Sequence, residues 1–246
     1  MIEKALKYIV GLGETKVREV TLPGGTVQAY SDRPLSLLEK HIPVAEPISM
    51  CTLTSLLDYI REDVDSMASR MVLHVTSPEE VRLYSCLNEK RGRECLVAVK
   101  SEVPNFGYGR FMEHEAFCIG VQSKFVDGPD TDKELLLKFA GTVESGSVAE
   151  YGDDGVTQKA TVRQGIASKA DAIVPNPVRL RPYRTFPEVG QPASSFIFRM
   201  KEGSDGVCCA LFEADGGAWK NEAMKNIKEY LKENLSDRLE QFTVIS

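Results

Sequence analysis

Apolar residues recur along this chain in two rhythms, one of three or four positions and one of two. Ile2, Ala5, Leu6 and Ile9 fall close to helical spacing, which predicts an amphipathic helix over residues 2–10. Leu53, Leu56, Leu57, Ile60 and Val64 make one apolar stripe and predict a second helix from Thr54 to Val64. In "SDRPLSLLEKHI", Ser31 or Asp32 supplies a cap and Pro34 a first-turn residue, so a helix is expected there too. "MEHEAFCIGVQSKF" predicts a further helix, and "DTDKELLLKFAGTV" another that starts at Asp130 or Thr131 and closes near Gly141. From about Ala218, Trp219, Ala223, Ile227, Tyr230 or Leu231 and Leu235 share one face of a C-terminal amphipathic helix.

The two-residue rhythm predicts strands. "KVREVTLPGGTVQAYS" reads as a hairpin around Pro23-Gly24-Gly25. "RMVLHVTS", "EVRLYSCL" and "ECLVAVKSE", split by Ser77-Pro78 and by "NEKRGR", read as a meander. "VAEYGDDGVTQKATVRQGI" is a second hairpin around Asp153-Asp154-Gly155. "AIVPNPVRLRPY", "SFIFRMKE" and "GVCCALFEA" add two or three more strands. Strand runs broken by pairs of helices imply an α+β fold, an antiparallel meander and hairpins with covering helices. Residues 1–246 are expected to form a single unit, with a subdivision near 126–146 as the alternative.

Composition narrows the function classes. Hydrophobic residues are 42% and charged residues 27% of 246, the balance of a globular chain. A formal net charge of -6 argues against a surface built for indiscriminate nucleic-acid binding, which needs a basic excess. The N-terminal "MIEKALKYIVGLGETKV" mixes charge with apolar residues and reads as no secretory signal, and no apolar run approaches a membrane span. Cys51, Cys86, Cys95, Cys118, Cys208 and Cys209 form no Cys-x-x-Cys pair, so reduced thiols in a cytoplasmic protein are expected, without structural metal or cofactor.

Four stretches compete as sites. "EADGGAWKNE" has the strand–glycine–helix order of a phosphate cradle. Lys220, however, is not followed by Ser or Thr, and Glu213 and Asp215 would repel a polyphosphate, so Gly216-Gly217 is read as a turn. Lys225, Lys228 and Lys232 on the same helix alternate with Glu222, Glu229 and Glu233 and read as a solvated face. In "RLRPYRTF", Arg179, Arg181 and Arg184 beside Tyr183 and Phe186 combine guanidinium donors with stacking rings, the makings of an anion or single-strand site. Prolines 175, 177, 182 and 187 fit a protected edge strand instead. "NFGYGRF" loosely matches an RNA-recognition strand, but reads better as a loop anchored by Phe106 and Phe111. His41, His74 and His114, the three histidines, fall in no catalytic motif, and no pair of carboxylates stands out for acid–base work.

"YSDRPLSLLEKHIP", "LYSCLNEKRGRECLVAVKSEVPNFGYGRFMEHEAFCIGVQSKF", "DDGVTQKATVRQGI", "VPNPVRLRPYRTFPEVGQPASSFIFRM" and "CALFEADGGAWKNEAM" together resemble the YfdQ-like family of phage and prophage proteins. The resemblance covers about residues 30–235 and brings no catalytic set with it. It implies a bacteriophage or prophage origin in the bacterial cytoplasm. The expectation is a non-enzymatic accessory protein that acts by binding, in phage DNA recombination and replication or in counter-defence. Its partners would be single-stranded nucleic acid or a phage or host protein, and the chain is expected to form a homo-oligomer without a membrane. The alternatives are a nucleotide- or nucleic-acid-processing enzyme and a self-assembling structural protein.

Overall fold

A computed structural model describes residues 2–14, 16–21, 27–31, 44–67, 70–88, 91–145, 147–153, 158–164, 168–173, 176–203 and 206–246. Two compact units divide the chain, Met1–Val44 and Ala45–Ser246, and residues 126–146 lie inside the second. The first unit holds α1 (Ile2–Gly13) and the antiparallel pair β1 (Val17–Thr21) and β2 (Val27–Ser31), in register from Val17↔Ser31 to Thr21↔Val27. These are the N-terminal helix and hairpin that the periodicity predicts. The turn at Pro23-Gly24-Gly25 and the expected Pro34 helix lie outside the described residues.

The second unit opens with β3 (Ile48–Met50), α2 (Leu53–Arg61), β4 (Met71–Ser77), β5 (Glu80–Ser85) and β6 (Cys95–Lys100). It continues through β7 (Met112–Glu113), α3 (His114–Lys124), α4 (Lys133–Ser145), β8 (Ser147–Asp153), β9 (Gln158–Gln164) and β10 (Ser168–Ile173). It closes with β11 (Val178–Leu180), β12 (Ser194–Gly203), β13 (Gly206–Glu213), α5 (Ala218–Asn234) and β14 (Phe242–Ile245). The fold is α+β. Sheet one, ordered β14-β4-β5-β6-β3, is the expected antiparallel meander extended at each edge by a short parallel strand. Sheet two is antiparallel, ordered β11-β12-β13-β7, and sheet three is β10-β9-β8.

Each large sheet buries one face under helices. Thr52 caps α2 by accepting the Ser55 N–H at 3.2 Å, and Leu53, Leu56, Leu57 and Ile60 are buried. Val64, expected on that stripe, is exposed because the helix ends at Arg61. The chain then turns with Asp63 at φ 49° and Ser66 at φ 51°, which brings Met67 into the core instead. The inward residues of β4, β5 and β6 pack against α2, against Ile227 and Leu231 of α5, and against Leu235 just beyond that helix. Sheet two packs Phe196, Phe198, Cys209 and Leu211 against Phe117 and Val121 of α3 and Leu136 and Phe139 of α4.

The link from sheet two back to sheet one is the Gly216-Gly217 turn. β13 ends at Glu213 and α5 begins at Ala218, with Gly216 at φ 62° and Gly217 at φ 81° between them. A side chain at either position would occupy the left-handed region, which only glycine enters without strain. Gly217→Ala should therefore destabilise the fold by about 1 kcal/mol or more, read as a lower denaturant midpoint. An unchanged midpoint would show that the positive φ is not required.

Candidate functional site

The two sheets approach each other beside that turn and leave an open cleft of about 700 Å³. Its walls come from the β4–β5 turn (Ser77, Pro78, Glu79), the loop bearing Asn105, Phe106 and Tyr108, the strand exit at Tyr183 and Arg184, the end of β13 at Glu213, and Trp219, Lys220 and Met224 of α5.

Arg184 is the centre of this wall. Along 178–184 burial alternates, with Val178, Leu180, Pro182 and Arg184 inward and Arg179 and Tyr183 outward. That parity puts a guanidinium, only 5% exposed, into the interior. Its Nη1 donates to Glu213 Oε1 at 2.6 Å, and its Nη2 donates to the Ser194 hydroxyl. Ser194 in turn donates to Asp215 Oδ2 at 2.6 Å, and the Gly217 N–H donates to Asp215 Oδ1 at 3.0 Å. The guanidinium carbon lies 4.0 Å from the Trp219 ring centroid and 5.5 Å from that of Phe196. One cation thus ties β12, β13 and the first turn of α5 together, by charge-assisted bonds and by ring faces.

Electrostatics follow from that packing. Burial pulls the Arg184 pKa down, and the neighbouring Tyr108, Glu213 and Asp215 act against it, so the group stays a cation. Burial alone would raise the Asp215 carboxyl. The Ser194 and Gly217 hydrogen bonds and the Arg184 charge outweigh it and hold the carboxyl below its usual value. Burial raises the Tyr108 hydroxyl, which stays protonated and able to donate.

The segment is held from both sides. Asp132 N–H to Arg179 O, Val126 N–H to Arg181 O and Tyr183 N–H to Lys124 O, at 2.8, 2.8 and 3.0 Å, zip it to the chain between α3 and α4. Beyond it, the buried Gln191 accepts from the Arg184 and Thr185 N–H groups through Oε1 and donates to Phe186 and Val189 carbonyls through Nε2. Across the cleft, Gly107 and Gly109, at φ 75° and 74°, fold "NFGYGRF" into a loop that the Gly109 N–H pins to Leu211 O at 2.8 Å. This places the Tyr108 ring parallel to Phe196, at 5.4 Å and 19°, and Phe106 edge-on to Phe125 at 4.9 Å. Phe106 anchors that loop as expected, whereas Phe111 packs only at its surface against Phe212.

Of the sequence candidates, Tyr183 and Arg184 meet in the cleft; Arg179 and Arg181 do not. The Arg181 side chain pairs with Asp130, and the Arg179 N–H donates to Asp132 Oδ2 at 2.7 Å with its side chain outward. The three arginines therefore form no common patch, because Arg184 has the opposite strand parity. Sequence reasoning missed Tyr108, Ser194, Gln191 and the role of Glu213 and Asp215; only the proximity of the two carboxylates to Gly216-Gly217 gave a signal. His114 Nε2 is bonded to Ala140 O at 3.0 Å, His74 lies on β4 of sheet one, and His41 falls outside the described residues. All six cysteines are free thiols, and burial pushes that of Cys209 up to about 12.

Among the described residues no group of His, Cys, Asp and Glu is placed to hold a metal ion, and no helix is long and apolar enough to cross a membrane. No family model matches the chain, and neither a curated protein nor a solved structure does.

Proposed function

We propose that this chain acts by binding, and that the cleft between its two sheets receives a planar, hydrogen-bonding ring such as the base of a single strand. The observation that supports it most is the Arg184–Trp219 wall, a buried cation fixed by Glu213 and Ser194 at the edge of a ring-lined opening. Rings and a few fixed polar groups are the composition of a ligand site. The cations Arg184 and Lys220 are balanced by the carboxylates Glu79 and Glu213 in the lining, so contact with a base rather than attraction to a polyphosphate would supply the affinity. Asp215, the carboxyl most tightly held beside the cleft, is kept ionised and occupied by Ser194 and Gly217 rather than poised to take a proton. That favours a binder over the enzyme alternative. The resemblance to phage and prophage proteins suggests the setting, recombination, replication or counter-defence, where single strands are at hand and a phage or host protein is the other partner class.

The test is anisotropy of a labelled mixed-sequence single strand at low and physiological salt. Tyr183, 40% exposed on the cleft, is the outer platform. Tyr183→Ala should weaken binding about 5- to 150-fold, the effect of about 1–3 kcal/mol for one lost base stack. Arg179→Ala with Arg181→Ala should change little. No binding by the wild type at low salt would sink the reading.

A further inference from the structure

Helix α1 is amphipathic, yet none of its residues is buried. Ile2, Ala5, Leu6, Ile9 and Leu12 recur every three or four positions, and Tyr8 and Val10 widen the stripe on either side. The six larger side chains of that face are 56–78% exposed. Glu3, Lys4, Lys7 and Gly11 fill the remaining strip, where Lys7 pairs with Glu3 at 3.3 Å. A helix of twelve residues with Gly11 and Gly13 in its last turn is marginal in water by itself. Helices of that kind persist by packing an apolar face, so this one requires a cover.

We propose that α1 is an association surface, and that its cover is the α1 face of a second copy of this chain. Area supports that occupant. At about 100 Å² for each bare side chain, the six large apolar residues expose roughly 400 Å² of apolar surface. A homodimer interface covers about 800 Å² on each partner, about 65% of it apolar. The helix alone therefore brings most of the apolar area that such a contact needs. Charge points the same way. Glu3, Lys4 and Lys7 are the only charged residues of α1, and the first and last are paired with each other. A helix that lies on an anionic lipid surface has a polar face rich in Lys and Arg, and a nucleic-acid contact needs a row of cations. A near-neutral, apolar face is complementary to itself, and a two-fold contact needs one patch only.

The test is the mass of the full chain by sedimentation equilibrium across micromolar concentrations. The wild type should sediment as a multiple of the chain mass. Leu6→Glu combined with Ile9→Glu would set carboxylates inside the contact, and should weaken association at least about 100-fold and lower the helical circular dichroism signal. Neither residue belongs to a buried cluster, so the variant should still melt cooperatively, which separates lost pairing from lost folding. Lys4→Gln, on the polar strip, should leave the mass unchanged. A monomeric wild type, or an oligomer that survives the double substitution, would overturn the proposal. So would a monomer that co-sediments with vesicles of phosphatidylcholine and phosphatidylserine through the same two residues, since lipid would then be the cover. None of these outcomes bears on strand binding in the cleft.

Discussion

Phe198→Ala should destabilise the protein by about 3–5 kcal/mol, the cost of removing a fully buried aromatic ring and leaving its cavity. Phe198 is 0% exposed, and its ring meets Phe117 of α3 at 5.4 Å and Phe139 of α4 at 6.1 Å, so one residue joins sheet two to both of its helices. The space is bounded on each side by a rigid element, which limits collapse and favours the upper part of the range. For a unit of this size the midpoint should fall by about 6–20 °C. A loss below about 1 kcal/mol would mean that the ring is not part of a close-packed core.

Arg184→Met should cost about 2–4 kcal/mol although it keeps much of the apolar volume. Desolvated cation–π contact contributes about 2 kcal/mol, and hydrogen bonds to charged groups about 1.5–3 kcal/mol each. Those sums are discounted because the Glu213 side chain is 42% exposed and regains water when its partner goes. The Ser194–Asp215 bond would remain without its cation. Arg184→Lys should fall between, since an ammonium restores charge but not the fork that reaches Glu213 and Ser194 at once. Denaturant midpoints of the two variants decide this. Equal and negligible losses would show that the guanidinium is incidental to the fold.

How much of this was legible depended on element length. The apolar stripe of α5 and the seven-residue alternation of β4 repeat often enough to declare their period, and both lie where the sequence puts them. Ile48–Met50 and Phe242–Ile245 have three and four residues, too few to separate a period of two from chance, and their partners are parallel and distant in sequence. Those edge strands were invisible for that reason. The candidate site was half legible. Arg184 and Tyr183 stood out by composition, yet the parity that sends Arg179 and Arg181 to one side also sends Arg184 to the other. Gln191 and Ser194 carry no motif; their roles follow from contacts with residues 2–21 positions away, which only the folded chain brings together. Tyr108 lay in a glycine loop whose positive φ values set its direction.

A single strand should enter between the two sheets, against Trp219. Trp219 emission followed during titration with the mixed-sequence single strand tests it most directly, since the one indole of the chain lines the cleft. The account predicts a saturable change whose midpoint coincides with that of the anisotropy titration and moves to about 5- to 150-fold higher strand concentration in Tyr183→Ala. A strand that binds by anisotropy while Trp219 emission stays flat would place the ligand elsewhere and contradict the account.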